Sequence, residues 1–159
     1  MKIIVDADAC PVKDIIVRIG KSFNKEVIMV IDTSHILQSN YAKIITVDKG
    51  ADSADIYLIN LAVRGDIIVT QDYGVAAMAL GKGCKCINQN GMVYDNTNID
   101  SLLLSRHIGK KIRRSGGRIN SVPKRTKEDD VNFEKVLSFQ PCQQPFRISY
   151  MTFNLYNSR

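Results

Sequence analysis

The stretch 66–74, Asp-Ile-Ile-Val-Thr-Gln-Asp-Tyr-Gly, constrains the fold more than any other part of the chain. Its three consecutive β-branched apolar residues predict a short strand buried on both faces, as in a parallel sheet. The strand runs into Gly74 and then into good helix formers at 75–80, which predicts a tight turn and a helix. Thr70 and Asp72 are therefore placed at the carboxyl end of a central strand, where open α/β sheets bind their ligands.

Strand and helix patterns alternate along most of the chain. Apolar runs predict strands at 2–6, 26–31, 43–47, 67–70 and 84–87. Apolar residues at helical spacing, with start and stop signals, predict helices at 11–21, from 50 to 65, at 74–81, from about 98, and from 126 to about 137. This alternation indicates an α/β fold with three layers, α/β/α, and a mainly parallel sheet.

Local signals refine the helix boundaries. Two Thr-x-x-Asp motifs, at 97–100 and 126–129, predict capping boxes. Gly65 is expected to cap the carboxyl end of the helix that begins near 50. The apolar face of that helix is expected to carry Ile56, Ile59 and Val63.

Length and composition are those of one ordinary domain. A chain of 159 residues, 45% of them hydrophobic, can bury a substantial core. No apolar run approaches the roughly 18 residues of a membrane span, and no secretory signal is visible, so we expect a cytoplasmic protein without membrane contacts. The net charge of +6 favours polyanionic partners.

A basic segment follows Ser105. Between residues 106 and 127 there are nine Lys or Arg and no acid. Such a run fits contacts to a nucleic-acid backbone and fits a solvated charged face equally well. Residues 139–159 change character again, and no element is assigned to them. The predicted nucleic-acid contacts are Lys49, Lys110, Lys111, Arg113, Arg114, Arg118, Lys124 and Arg125.

The cysteines and histidines offer little sign of a metal site. Cys84 and Cys86 would share one face of a strand, but neither a second cysteine pair nor a histidine cluster accompanies them. We therefore expect reduced thiols rather than a zinc site, and an inert Cys10. His35 and His107 are far apart in sequence and are expected in loop or surface positions.

Acidic residues follow the predicted strands and open one helix. Asp6 and Asp8 come just after the first strand, and Asp52 and Asp55 would share one side of a helix start. Two carboxylates 4 Å apart repel by about 4 kcal/mol at an effective dielectric of 20. Several together require protonation or a hard cation with oxygen ligands, for which Mg²⁺ or Mn²⁺ is the natural candidate. The predicted metal ligands are Asp6, Asp8, Asp52, Asp55 and Asp72.

Structural roles for acids are the alternative. Asp is common at helix starts, where it caps the first turn and complements the helix dipole, and Asp52 and Asp55 fit this description. Asp32, Asp66 and Asp95 are expected to be solvated turn residues. The alternative is weaker for Asp6, Asp8 and Asp72, because each follows an apolar strand at the ligand-binding edge.

Six motifs resemble one family closely. They span 5–11, 47–55, 69–74, 87–91, 110–114 and 124–130, and they are similar to the YaiI/YqxD family of bacterial proteins over about residues 1–138. The resemblance implies one α/β domain over that range, which includes the basic segment, and leaves 139–159 as an atypical tail. The family pattern is in turn similar to PIN and NYN nuclease-like domains.

The PIN-like resemblance implies an activity and its residues. It assigns catalysis to Asp6, Asp52 and the Asp72 of a Thr-x-Asp motif, with Mg²⁺ or Mn²⁺ as cofactor and RNA phosphodiesters as substrate. Thr70 would then hydrogen-bond Asp72 or a bound water.

Two rival functions stay open. The protein could be a PIN-like module that binds RNA without cutting it. It could also be a haloacid-dehalogenase-like phosphatase, since Asp6-Ala7-Asp8-Ala9 resembles the nucleophile strand of those enzymes. Their late acidic motif follows a lysine, however, and here the corresponding run at 49–55 precedes the Thr-containing strand, which is the wrong order.

Overall fold

A computed structural model describes residues 1–48, 50, 53–116 and 124–140. Within these residues the chain forms six strands and five helices. Within this part of the chain, no helix combines the length and the apolar character needed to cross a bilayer. The elements in chain order are β1 (Ile3–Asp6), α1 (Lys13–Ser22), β2 (Val27–Asp32), β3 (Lys43–Val47), α2 (Ser53–Leu61), β4 (Ile67–Val69), α3 (Tyr73–Gly81), β5 (Lys85–Ile87), β6 (Val93–Tyr94), α4 (Ile99–Arg114) and α5 (Lys127–Phe139).

The strands form one sheet in the order β3-β2-β1-β4-β5-β6. All neighbours are parallel except β5 and β6, which pair antiparallel, and β3 and β6 are the edge strands. The order reverses beside β1, where β2 lies on one side and β4 on the other. Ile3 pairs with Ile67 and Val5 with Val69, so the carboxyl ends of β1 and β4 lie side by side at the switch point where such sheets bind ligands.

Helices cover both faces of the sheet, which confirms the predicted three-layer α/β/α architecture. On one face α1 and α5 pack against β1, with Ile16, Phe133 and Leu137 fully buried. On the other face α2, α3 and α4 contribute Leu58, Val75 and Ile99 to a second core. Each fully buried side chain of this size contributes about 1.5–3 kcal/mol, so the strands that carry the acids are firmly anchored.

The helix α2 differs from its prediction. It ends at Leu61, four residues before Gly65, which lies in the turn that leads to β4. Of the predicted apolar face, Ile59 packs against the core, but the prediction is wrong for Ile56 and Val63, which are 56% and 54% exposed. Leu58 and Ala62, four residues apart, meet the sheet instead.

One of the two predicted capping boxes is present. Thr126 accepts a hydrogen bond from the amide of Asp129, whose side chain accepts one in return, and this box opens α5. The box predicted at 97–100 is wrong, because the N-cap of α4 is Asn98 and the Thr97 hydroxyl donates to Asp95. The helix α4 extends to Arg114 and so contains the first half of the basic segment. Strand β6 was not predicted.

Candidate functional site

A threonine hydroxyl links the two central strands at their carboxyl ends. Thr70, which directly follows β4, is fully buried. Its Oγ1 donates to Oδ2 of Asp6 at 3.0 Å and accepts from the amide of Asp72 at 3.0 Å. The predicted hydrogen bond between Thr70 and Asp72 is therefore made, through the backbone of Asp72. The hydroxyl fixes the positions of both acids relative to each other.

Asp72 has partners on both carboxylate oxygens. As the N-cap of α3 it accepts from the amides of Gly74 and Val75 through Oδ1, at 2.7 and 3.3 Å. Its Oδ2 accepts from Nη1 of Arg106 at 2.7 Å, because α4 packs against α3. Partial burial raises the pKa of Asp72, but these hydrogen bonds and the arginine charge outweigh burial and hold the pKa below its usual value.

Asp6 lies in the opposite electrostatic situation. Burial raises the pKa of its carboxyl group, and the negative charges of Asp8 and Asp72 raise it further, against the hydrogen bond from Thr70. The chain thus brings Asp6, Asp8 and Asp72 together, as expected, and concentrates the uncompensated charge at Asp6.

A histidine joins two of the acids beside this site. His35 Nδ1 lies 3.1 Å from Oδ1 of Asp8 and 3.2 Å from Oδ1 of Asp32, and the amide of Asp32 donates to Oδ1 of Asp8 at 3.0 Å. Of the described residues, this trio has ligand atoms close enough to share a metal ion, all within 4.8 Å. His35 is exposed and lies in a loop, as expected, but its contacts with the two acids were not predicted.

The structure describes some of the acids in the segment 48–55 and not others. Asp52 and Lys49, two of the predicted site residues, lie outside the described residues. Asp55 lies in the first turn of α2. The hydrogen bond to Asp72 raises the pKa of Arg106, and the charges of Asp72 and Asp55 add to this effect. The charge of Asp55 therefore acts on the same arginine as the charge of Asp72.

The predicted nucleic-acid contacts fall into two groups. Four of them project from the end of α4, where Lys110, Lys111 and Arg114 line a surface groove of 310 Å³ together with His107, and Arg113 is exposed beside them. Near the start of α5, Lys124 is exposed and Arg125 donates to Asp130 and Asn90. Arg118 lies outside the described residues.

Asp66 and the cysteines are structural. The expectation of a solvated Asp66 is wrong: it is 1% exposed and accepts hydrogen bonds from the amides of Lys2 and Val63 at 2.7 and 3.1 Å. The bond from Lys2 ties the start of β1 to the start of β4, at the edge opposite the site, and the bond from Val63 closes the turn that precedes β4. Cys10, Cys84 and Cys86 are buried free thiols, and burial raises the pKa of Cys86 to about 12.

Comparison with known proteins identifies relatives along nearly the whole described chain. The family model described as "Uncharacterized BCR, YaiI/YqxD family" matches residues 4–140. A "UPF0178 protein" of Ruminiclostridium cellulolyticum is 62% identical over 137 residues, which are 86% of this chain and 90% of the relative. Proteins of the same description from Alkaliphilus oremlandii and Natranaerobius thermophilus are 57% and 47% identical, over 86% of this chain and 88% and 93% of their own lengths. No solved structure matches the chain.

Proposed function

This chain belongs to the YaiI/YqxD family, and from that premise we propose that it is a metal-dependent hydrolase of RNA phosphodiester bonds. One observation carries the proposal. Asp6 sits partly buried at the switch point of the sheet, beside Asp8 and Asp72, with its pKa raised by burial and by both neighbouring charges. Excess negative charge at a ligand-binding edge suits a divalent cation.

The donor atoms fit Mg²⁺ or Mn²⁺. Carboxylate oxygens of Asp6 and Asp8 would hold the cation, and Asp52, Asp55 and Asp72 are the further ligands that the sequence motifs favour. When bound, the cation neutralises charge on the phosphate and lowers the pKa of an attacking water. Thr70 would keep the Asp6 carboxylate in position, and Arg106 would keep Asp72 ionised at neutral pH. The basic side chains of α4 would hold the RNA backbone without sequence preference.

The resemblance to PIN and NYN domains supports the choice of RNA. It lies in the motifs around Asp6, Asp52 and Asp72, and the observed parallel sheet is compatible with such a domain. Fold likeness alone does not decide an activity, so the test has to be chemical.

Incubation of the purified protein with a total RNA pool and Mn²⁺ provides that test. We expect RNA cleavage that chelation stops and that Asp6→Asn abolishes, while Asp14→Asn, at an exposed acid of α1, leaves it unchanged. Calorimetry should record Mn²⁺ binding to the wild type that weakens in the double variant Asp6→Asn, Asp72→Asn. Equal cleavage by Asp6→Asn and the wild type would refute the proposal.

A non-catalytic RNA-binding module is the second candidate. The observation that favours it is the ion pair of Arg106 with Asp72, which supplies from within the chain the positive charge that a cation would otherwise bring. RNA binding without cleavage at any Mn²⁺ concentration would support it. Turnover of p-nitrophenyl phosphate with a trapped phosphoaspartate would instead indicate the phosphatase.

A further inference from the structure

A cleft of 510 Å³ opens beside the acidic site. Two of its walls continue directly from the site, because Ala9 follows Asp8 in the chain and Gln71 lies between Thr70 and Asp72. The other walls come from the turn between β5 and β6 and from the residues that lead into α5. Its volume lies in the range of small-molecule sites. Its lining includes Gln71, Gln89, Asn90, Lys124 and Arg125.

Two glutamine amides lie side by side in this cleft. Gln89 is only 2% exposed, and its Oε1 accepts a hydrogen bond from Nε2 of Gln71, which is exposed at the opening. A primary amide has two N–H donors and an oxygen with two lone pairs, and this bond uses one donor and one lone pair. The pair therefore offers donors and acceptors together, which are the groups that read the edge of a nucleobase.

Two cations stand at the rim. The guanidinium of Arg125 is held by Asp130, at 2.8 Å from Nε, and by Oδ1 of Asn90, at 2.6 Å from Nη1. Lys124 is exposed, and no ion pair of Lys124 is found among the described residues. Asp129, the acid on the wall, is occupied in capping α5. Because Asp130 balances the charge of Arg125, Lys124 is the cation that the rim offers to an anion.

The far wall is rigid. The Asn90 carbonyl accepts from Nδ2 of Asn132 on α5 at 2.7 Å. Gly91, at φ +85°, lies so close to α5 that an added Cβ would be 2.7 Å from that same Nδ2. A wall formed before the ligand arrives costs little entropy on binding.

We propose that this cleft holds one nucleotide of the RNA strand, next to the phosphate at the acidic site. Gln71 and Gln89 would bind the base edge, and Lys124 would bind the attached phosphate. A ligand with both a base and a phosphate accounts for the whole lining. Inorganic phosphate alone would leave the buried amide without a ligand partner, and an uncharged base alone would leave the cationic side chain without one. Single-stranded RNA is the form that presents unstacked bases with free edges. This inference rests on the proposed function for its choice of RNA.

Calorimetry with the full chain, in the absence of divalent cations, tests the cleft. The probes are the four ribonucleoside 5′-monophosphates, ribose 5-phosphate and inorganic phosphate. We expect at least one nucleotide to bind more tightly than ribose 5-phosphate, by about 5- to 150-fold if both amides engage the base. Gln71→Leu should abolish that difference and leave ribose 5-phosphate binding unchanged.

Substitution of Lys124 tests the proposed phosphate-binding part of the cleft. Lys124→Ala should weaken all the phosphorylated probes several-fold, whereas Lys43→Ala, at an exposed lysine of β3, should change none of them. Gln71→Asn, which keeps the amide but shortens its reach, serves if the leucine variant does not fold. Equal binding of nucleotides and ribose 5-phosphate, or nucleotide selectivity that survives the Gln71 substitutions, would overturn the inference.

Failure of this inference can be told apart from failure of the nuclease proposal. Nucleotide selectivity in the cleft without RNA cleavage in Mn²⁺ would refute the nuclease and retain the nucleotide site. RNA cleavage that depends on Asp6 but shows no nucleotide selectivity in binding would retain the nuclease and refute the nucleotide site.

Discussion

Arg106 reaches from α4 to Asp72 at the start of α3, and its Nη1 donates to Oδ2 of Asp72 at 2.7 Å. This contact divides the acids of the edge into two kinds. Asp72 already binds a cationic side chain and two helix amides. Asp6, in contrast, is partly buried and lies near two other negative charges. A bound divalent cation would therefore gain most from Asp6 and would compete with Arg106 for Asp72.

Removal of that arginine tests whether Asp72 is a metal ligand. We expect Arg106→Ala to tighten Mn²⁺ binding about fivefold, because a partly exposed ion pair worth about 1 kcal/mol no longer competes for Oδ2. The pKa of Asp72 should rise, since Arg106 holds it down. Calorimetry measures the affinity, with Arg106→Lys as the charge-retaining control. Unchanged or weaker Mn²⁺ binding would mean that Asp72 takes no part in holding the cation.

Asp6 is expected to destabilise the metal-free protein near neutral pH. Its folded-state pKa lies above the unfolded value, so its ionised form is penalised on folding, and the penalty grows as pH rises through the folded pKa. Asp6→Asn should raise the free energy of unfolding at pH 7 by up to about 2 kcal/mol, with a smaller gain below about pH 4.

Urea unfolding at several pH values, without divalent cations, measures this effect. Asp14→Asn in α1 is the control for loss of an exposed carboxylate and should show little change. Saturating Mn²⁺ should then stabilise the wild type more than Asp6→Asn. If Asp6→Asn lowered the stability at pH 7, the ionised Asp6 carboxylate could not be destabilising the folded protein.

The buried hydroxyl of Thr70 should matter more than its methyl group. Thr70→Val keeps the shape but leaves the Asp72 amide and the Asp6 carboxylate without their partner, which costs about 1–3 kcal/mol. Thr70→Ser keeps the hydroxyl and should cost about 1 kcal/mol for the lost methyl. Urea denaturation compares the two, and NMR titration should find a further rise in the pKa of Asp6 in the valine variant. Equal stability of both variants would argue against a structural role for the hydrogen bonds of the Thr70 hydroxyl with Asp6 and Asp72.

Two glycines should respond in opposite directions to alanine. At Gly91 the φ of +85° and the contact with Asn132 predict a loss of about 2–4 kcal/mol, from backbone strain and the displaced hydrogen bond to Asn90. At Gly81, in the last turn of α3, nothing lies within 4 Å of an added Cβ, and alanine should gain about 0.5–1 kcal/mol. Thermal unfolding of both variants measures the difference; a harmless Gly91→Ala would show that the turn is not pressed against α5.

The sequence predicts the sheet well because its central strands β1, β2 and β4 are parallel and buried on both faces. Such strands are continuous apolar runs, and the acids that follow them had to meet at one edge. Strand β6 has two residues and no pattern of its own. The boundaries of α2 were missed because Ile, Leu and Val occur on all sides of that segment, so its buried face is decided by contact with the sheet.

The missed site residues depend on contacts between distant segments. Arg106 belongs to a run of basic residues, and nothing in its neighbourhood singles it out as the partner of Asp72. His35 reaches Asp8 only because β1 and β2 are neighbours. An acid at the end of β2 was the available signal, since Asp32 occupies the same position on its strand as Asp6 does on β1. The burial of Asp66 was missed because its contact with the amide of Lys2 exists only once β4 pairs with β1.

The two edge strands also affect whether folded copies of the protein associate through their sheets. Strand β3 presents Lys43 and Thr46 outward, and β6 is too short to template a partner strand. Enlargement of the sheet by a second copy or by an extended peptide is disfavoured at both borders. Self-association into β-rich aggregates should consequently require prior unfolding, and concentrated folded samples should resist it.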